Sequence, residues 1–351
     1  MFESSVLSAL ASTHENTLRA LGGIEQELKA RFFGIDNAIR ALILAVASGE
    51  PLLLVGPPGT AKSRLIRSFC ATVGILDQAH LDASSDAYFE YLLTPFTEPN
   101  ELFGYFDIAR MQEGGGLHRI EQGMMQQAKV VYLDELFNGS SAILNTLLSF
   151  VNEGIFHDRG ERKKVAMQCL FAATNSVPDA ADLRAIFDRF VLRCWIDNVA
   201  ASPEDVGNLL TIGWSETYGG IDAQLKTLWR TTNNLPYRTL LDDLERLRRT
   251  IRIFSAKNQL TAQKDSRFYA ELAGLAKHAR DYDLSAVSNR RLVKMTHVML
   301  IHALYAAVEK GDLSSPTLGP AELDLFPTYF LDVDNEMHRE RMKGAYRDRR
   351  N

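Results

Sequence analysis

The stretch "PLLLVGPPGTAKSRLIRSF", residues 51–69, decides how the chain is read. A short, fully apolar run ends in Gly-Pro-Pro-Gly, and a helix-forming run begins at Lys62. The pattern approaches G-x-x-x-x-G-K-[ST], a loop whose backbone N–H groups converge on phosphate at a helix N-terminus. Gly56 opens it and Lys62-Ser63 close it, but Ala61 stands where the last glycine belongs. Gly56 and Gly59 free the backbone to curl, Lys62 is placed to reach β- and γ-phosphates, and Ser63 to ligate Mg²⁺. Alanine keeps the N–H of glycine and loses only easy access to positive φ. The loop therefore keeps its donors, and Ala61 is expected at negative φ.

Working outward, "KVVYLDEL" (129–136) is a second apolar strand, and it ends in acid. In a parallel sheet the C-terminal strand ends form the ligand edge. Asp134 there suits Mg²⁺ held through water, and Glu135 suits activation of an attacking water. Taken alone, Asp-Glu after a strand also reads as a helix cap. "CLFAATNS" (169–176) is a third buried strand, ending at Asn175, which either meets a γ-phosphate or lytic water or simply forms a turn. "AYFEYLLT" (87–94) and "VLRCWID" (191–197) are further strands, and "SSAILNTLLSFVNEG" (140–154) is an amphipathic helix with a Ser cap and a Gly stop. Apolar strands alternating with helices predict an α/β core with a parallel sheet.

Three further features stand out. "FDIARMQEGGGLHRIEQG" (106–123) and "IFHDRGERKKVAMQ" (155–168) read as hairpins, the second with Asp158-Arg159-Gly160 at its tip. "DAADLRAIFDRF" (179–190) reads as a helix followed by Arg189, a cation that either serves a neighbouring subunit's phosphate or pairs with Asp188 or Asp182. Arg193 is the second candidate. "AVSNRRLVK" (286–294) starts a helix capped by Ser288, with Arg290 and Arg291 in its first turn against the helix dipole, which hints at an anion.

After residue 200 every strong pattern is helical, apart from a loop at 231–239, so a boundary is expected near 198–204. The charged tail at 336–350 reads as a solvated helix or a partner-binding arm. With 351 residues, 46% of them hydrophobic, the chain is long enough for two domains. A net charge of −5 argues against a nucleic-acid coat. The apolar run at 41–56 is broken by Ser48-Gly49-Glu50-Pro51, so no membrane span is expected, and the N-terminus lacks a leader pattern. Cys70, Cys169 and Cys194 are isolated from one another, as free thiols of a cytoplasmic protein would be.

The order GPPGTAKS, YLDE, ATN, FDR, SNRR resembles that of AAA+ ATPases. With "FEYLLTPFTEPNELFG" and "YLDELFNGSSAILNTLLSFVNEGIF" added, the chain resembles the MoxR family and its RavA-like branch over about residues 16–310. The resemblance implies a P-loop αβα core (1–199, carrying the two hairpin inserts), an all-helical lid (200–310) and a C-terminal extension (311–351). It implies ATP and Mg²⁺ as cofactors. The nucleotide contacts would be Gly34 and Ile35 ahead of the core and the loop itself, Gly56, Pro57, Pro58, Gly59, Thr60, Ala61, Lys62, Ser63 and Arg64. Metal would fall to Ser63 and Asp134, and catalysis to Lys62, Glu135, Asn175, Arg189 as arginine finger and Arg290 as sensor 2. Alanine before the loop lysine is common in that family.

A homo-hexameric ring is implied, acting through its hairpins on a client protein or a partner with a von Willebrand A (vWA) domain. RavA itself carries an added arm that nothing in this sequence resembles, so its specific partner is not expected to transfer. Two other functions compete: a low-turnover, nucleotide-gated assembly switch, and a DNA-acting motor suggested by Arg159, Arg162, Lys163 and Lys164 in the second hairpin.

Overall fold

The computed structural model describes residues 4–77, 81, 85–114, 116–158, 161–177, 183–199, 202–217, 237–256, 267–314 and 316–345. The tip residues Arg159-Gly160, residues 178–182 at the start of the helix expected from 179, most of the loop at 231–239 and the tail from 346 lie outside them. By its contacts the chain forms two units, residues 51–190 and residues 1–50 with 191–351.

In the unit 51–190, β1 (Leu52–Val55) is buried at every position, as its unbroken Leu-Leu-Leu-Val demands. It leads through the loop into α4 (Lys62–Thr72). β2 (Tyr88–Leu92), α5 (Pro99–Phe103), α6 (Ile108–Gln112), β3 (Val130–Asp134), α7 (Ser141–Glu153), β4 (Ile155–Asp158), β5 (Glu161–Lys164), β6 (Cys169–Thr174) and α8 (Arg184–Phe187) follow. The sheet has five strands in the order β2-β3-β6-β1-β7, where β7 is Leu192–Trp195. Its β2–β3, β3–β6 and β6–β1 pairs are parallel, with Leu92 opposite Asp134, Leu133 opposite Ala172 and Val55 opposite Thr174. The ends of β1, β3 and β6 thus lie side by side, and the three loops that leave them share one edge. α7 begins where the serine dictates: Ser140 Oγ accepts the Ile143 N–H at 3.4 Å, and Gly154 at φ 60° closes the helix.

The two insert segments differ. β4 and β5 pair antiparallel, Ile155 opposite Lys164 and Asp158 opposite Glu161. Residues 106–123 do not form the expected pair of strands. One arm is the helix α6, capped by Asp107 Oδ1 accepting from the Arg110 N–H at 3.0 Å, and a single antiparallel bridge, Phe106–Arg119, closes the base. The Asp cap and the helix-forming Ile-Ala-Arg-Met-Gln outweigh the strand pattern.

Among the described residues the other unit is helical apart from β7. It begins with α1 (Ser4–Thr13), α2 (Glu15–Arg31) and α3 (Asp36–Ser48), and resumes after β7 with α9 (Pro203–Thr217), α10 (Leu240–Ala256), α11 (Arg267–Asp281), α12 (Asn289–Lys310), α13 (Pro320–Leu323), α14 (Leu325–Tyr329) and α15 (Glu336–Ala345). Among the described residues α12 is the one helix long and apolar enough to cross a bilayer by length and composition, with mean hydropathy 1.2. It packs against α1, α2, α3 and α13, and Met295, Val298, Ile301 and Leu304 are fully buried there. Each such side chain contributes roughly 1.5–3 kcal/mol. Leu323, Phe326, Tyr329 and Phe330 are buried too, so residues 322–331 are part of this core.

Candidate nucleotide site

The loop after β1 is anchored at its start by the Gly56 N–H, which donates to Thr174 O of β6 at 3.1 Å. Lys62 is buried, and its ammonium donates to Gly56 O at 2.7 Å, Pro57 O at 2.8 Å and Thr60 Oγ1 at 3.4 Å. Thr60 Oγ1 in turn donates to Pro57 O at 2.9 Å. Burial lowers the Lys62 pKa, while the nearby Asp134 and Glu135 carboxylates oppose that shift. The lysine therefore sits between the loop it braces and the two acids after β3.

The expected negative φ at Ala61 is wrong. Ala61 is left-handed, at φ 61° and ψ 21°. The chain must turn from loop to helix at this residue, so that Ala61 O can accept the Leu65 N–H at 2.9 Å. The conformation usually given to glycine is kept, and the methyl group bears a cost of about 1–2 kcal/mol. No side chain caps the start of α4 and no acid lies in its first turn. A Cβ added at Gly59 would meet nothing within 4 Å. An uncapped helix start, a curled loop open at Gly59 and a lysine on its inner side fit a nucleotide phosphate.

Asp134 and Glu135 stand at the end of β3, and Asn175 follows the end of β6. Asp134 Oδ1 accepts the Glu135 N–H at 2.9 Å. Glu135 is itself left-handed, at φ 49° and ψ 47°. Its Oε1 accepts a hydrogen bond from Asn175 Nδ2. A cavity of about 520 Å³ opens beside that pair, with Leu93, Thr94, Phe137 and Thr174 in its walls. A serine hydroxyl and one carboxylate are hard oxygen donors that suit Mg²⁺. Among the described residues no cluster of three or more His, Cys, Asp or Glu could hold a metal unaided.

Across residues 19–231 the sequence matches the family described as the MoxR domain in the MoxR-vWA-beta-propeller ternary systems. The chain belongs to the MoxR family of AAA+ ATPases. Two uncharacterized proteins of Methanocaldococcus jannaschii are each 35% identical to it, over 176 and 170 residues, which cover 50% and 48% of this chain and 43% of each relative. A structural protein of Acidianus two-tailed virus is 27% identical over 66% of this chain and 37% of its own. The aligned parts thus make up about two fifths of the curated relatives the chain matches. A crystal structure of a candidate ATPase from Cytophaga hutchinsonii has the same fold, with a TM-score of 0.59, 15% identity and coverage of 99% of this chain and 98% of that one.

In this MoxR domain the remaining predicted residues fall in different places. Arg189 is half-buried in the unit 51–190; its Nη1 lies 3.5 Å from Asp188 Oδ2, and its Nε finds no hydrogen-bond partner among the described residues. Gly34, Ile35, Arg193, Arg290 and Arg291 belong to the other unit. Gly34 is at φ 78°, and an added Cβ would come within 2.9 Å of Val199 Cγ2; both facts demand glycine. Ile35 precedes α3 and is 8% exposed. Arg193 and Arg291 are fully buried and share Asp332 Oδ1. Arg291 also donates to Ser285 Oγ at 3.0 Å and to Phe330 O. Both guanidiniums are therefore committed to the fold, whereas Arg290 is exposed.

The two inserts are tied to each other by charge. Arg119 donates to Asp158 Oδ1 at 3.2 Å and to Gly104 O at 2.7 Å, and Lys163 bridges Asp158 at 3.2 Å and Glu121 at 2.8 Å. Burial pushes the Asp158 carboxyl up, but Arg119 and Lys163 outweigh it and hold the pKa below its ordinary value. Tyr105, Ile108, Met111 and Ile120 are exposed on the first insert.

Sequence reading missed the layer beneath the loop. Arg67 of α4 grips Glu90 of β2 with two hydrogen bonds, at 2.8 and 2.9 Å, and Tyr88 Oη donates to Glu90 at 2.7 Å. The signal was present: a glutamate in the middle of "YFEYL", and an arginine four residues after Ser63 on the same face of a helix.

Proposed function

We propose that this MoxR domain hydrolyses Mg·ATP and couples hydrolysis to the remodelling, activation or loading of a partner protein. The observation that carries this reading is the convergence of the Lys62 loop, the Asp134–Glu135 pair and Asn175 on one edge of the sheet. Gly56–Arg64 and Lys62 would cradle the phosphates, with Gly34 and Ile35 at the base. Ser63 and, through water, Asp134 would hold Mg²⁺, which supplies charge neutralisation at the transferring phosphoryl group. Glu135 would draw the proton from the attacking water while Asn175 fixes its carboxylate. Arg189 of an adjacent copy and the exposed Arg290 would complete the charge clamp, as in a homo-hexamer with nucleotide at its interfaces.

The finer assignments belong to the same proposal. They are a RavA-like placement, a cytoplasmic location, and a division into core (1–199), lid (200–310) and extension (311–351). The family's description in MoxR-vWA systems supports a vWA-domain partner, with the two tied inserts as the client-facing element. Neutralisation of Lys163 by Glu121 and Asp158 weakens the case for a DNA motor. A second reading, a slow nucleotide-gated switch, has one observation in its favour: the Glu135 carboxylate is already engaged by Asn175.

The test is steady-state ATP turnover of the wild type and Glu135→Gln. Removing the base should cut turnover by about 10²–10⁴-fold with nucleotide binding retained. Equal rates in the two proteins would reject Glu135 as base, and a wild type with negligible turnover but nucleotide-dependent assembly would establish the switch.

A further inference from the structure

One buried hydroxyl has no part in the steps above. Tyr132 on β3 is fully buried, and its Oη finds no hydrogen-bond partner among the described residues. Such a group is costly in a core, and a functional use is one reason for a core to retain it.

Its position is specific. Tyr132 lies two residues before Asp134 and so shares its face of β3. Across the ladder Tyr132 is opposite Glu90, as Asp134 is opposite Leu92. α4 covers that face, for Arg67 holds Glu90, and Phe69 packs edge-on against Phe171, the β6 neighbour of Tyr132. Ser63 and Arg67 are one helical turn apart, about 6 Å. Asp134 and Tyr132 are two strand residues apart, about 6.6 Å. The two spacings match, so Ser63 and Asp134 form one level of the helix–strand contact and Arg67, Glu90 and Tyr132 the level below.

The hydroxyl lies near both carboxylates, with Asp134 within reach of a side-chain hydrogen bond from it. Glu90 already accepts two hydrogen bonds from Arg67 and one from Tyr88. Asp134 accepts the Glu135 N–H at Oδ1, which makes it the better acceptor for a further bond.

We propose that Tyr132 is a positioning residue for the metal-side carboxylate: its hydroxyl donates to Asp134 when that carboxylate turns to hold the Mg²⁺ shell, and the Arg67–Glu90 pair fixes the ring from below. The inference rests on the nucleotide-site reading above. Tyr132 acts through Asp134 and does not itself touch the nucleotide.

Calorimetric titration of ADP into the full chain, in EDTA and then at stepped Mg²⁺, tests this in the wild type and Tyr132→Phe. The variant removes one buried oxygen and leaves the Arg67–Glu90–Tyr88 hydrogen bonds in place, so its melting temperature without ligand should lie close to that of the wild type. Its affinity in EDTA should be unchanged, while the gain in affinity on adding Mg²⁺ should shrink about tenfold, the size typical of losing a group that orients a metal ligand. Mn²⁺ titration followed by electron paramagnetic resonance should show the same loss. Equal Mg²⁺ gains in the two proteins would overturn the role of Tyr132. A wild type that binds ADP with no Mg²⁺ gain would instead overturn the metal reading of Asp134.

Discussion

The starts of α4 and α12 make an instructive pair. Each helix carries a basic residue in its first turn, against the dipole. At α12 the chain supplies its own cap: Ser288 is extended, at φ −62° and ψ 152°, and its Oγ accepts the Arg291 N–H at 3.3 Å. Arg291 then turns inward to Asp332. At α4 the preceding residue is a left-handed alanine with no capping side chain, and Lys62 turns back onto the loop carbonyls. A helix start that caps itself is a joint in the fold. One that follows a left-handed alanine with no capping side chain suits an anion.

That contrast can be broken by substitution. The largest effect should come from Lys62→Ala, which removes a buried charge contact worth about 2–5 kcal/mol. Isothermal titration should show ATP affinity lowered by at least about 30-fold, and unaltered affinity would end the anion-site reading of α4. Next is Asp332→Ala, which leaves the buried Arg193 and Arg291 without their carboxylate. Urea unfolding should record a loss of about 3–5 kcal/mol, and replacing all three residues by apolar ones of similar volume should recover much of it. Ser288→Ala should cost about 1 kcal/mol of stability and nothing in nucleotide affinity. A large affinity loss there would erase the distinction between the two helix starts. The smallest effect is expected at Ala61→Gly. Relief of about 1–2 kcal/mol of strain is offset by roughly 0.4–1 kcal/mol of added unfolded-chain entropy. A slightly higher melting temperature with unchanged nucleotide binding is the expected outcome.

Much of the site could be read from the sequence because its elements are local and sharply punctuated. Gly-Pro-Pro-Gly ends an apolar strand, an acid pair ends another, and Asn175 ends a third; parallel pairing then brings the three ends to one edge without further information. What escaped reading depends on tertiary demands. The sign of φ at Ala61 is set by how the loop must enter α4, not by the preference of alanine. The first insert was misread because Asp107 caps a short helix where the glycine run suggested a turn between strands. The Arg67–Glu90–Tyr132 layer needs a helix face and two strand faces aligned at once. The burial of residues 322–331 was hidden because a charged tail follows them and draws attention to solvent.

Asp332 has a consequence for anyone who cuts this chain. It lies more than twenty residues beyond the end of α12, yet it is the acceptor shared by a strand residue, Arg193, and by the first turn of α12 through Arg291. Removing everything after Lys310 would therefore not trim a loose end. It would draw a pin from a closed ring of three segments and strand two guanidiniums in an apolar interior. A protease nick between Gly311 and Gly319 is a different injury, because the severed piece stays clasped by Phe326, Phe330 and Asp332. Clipped and truncated forms of the protein should consequently part company on heating, the first melting close to the intact chain and the second well below it.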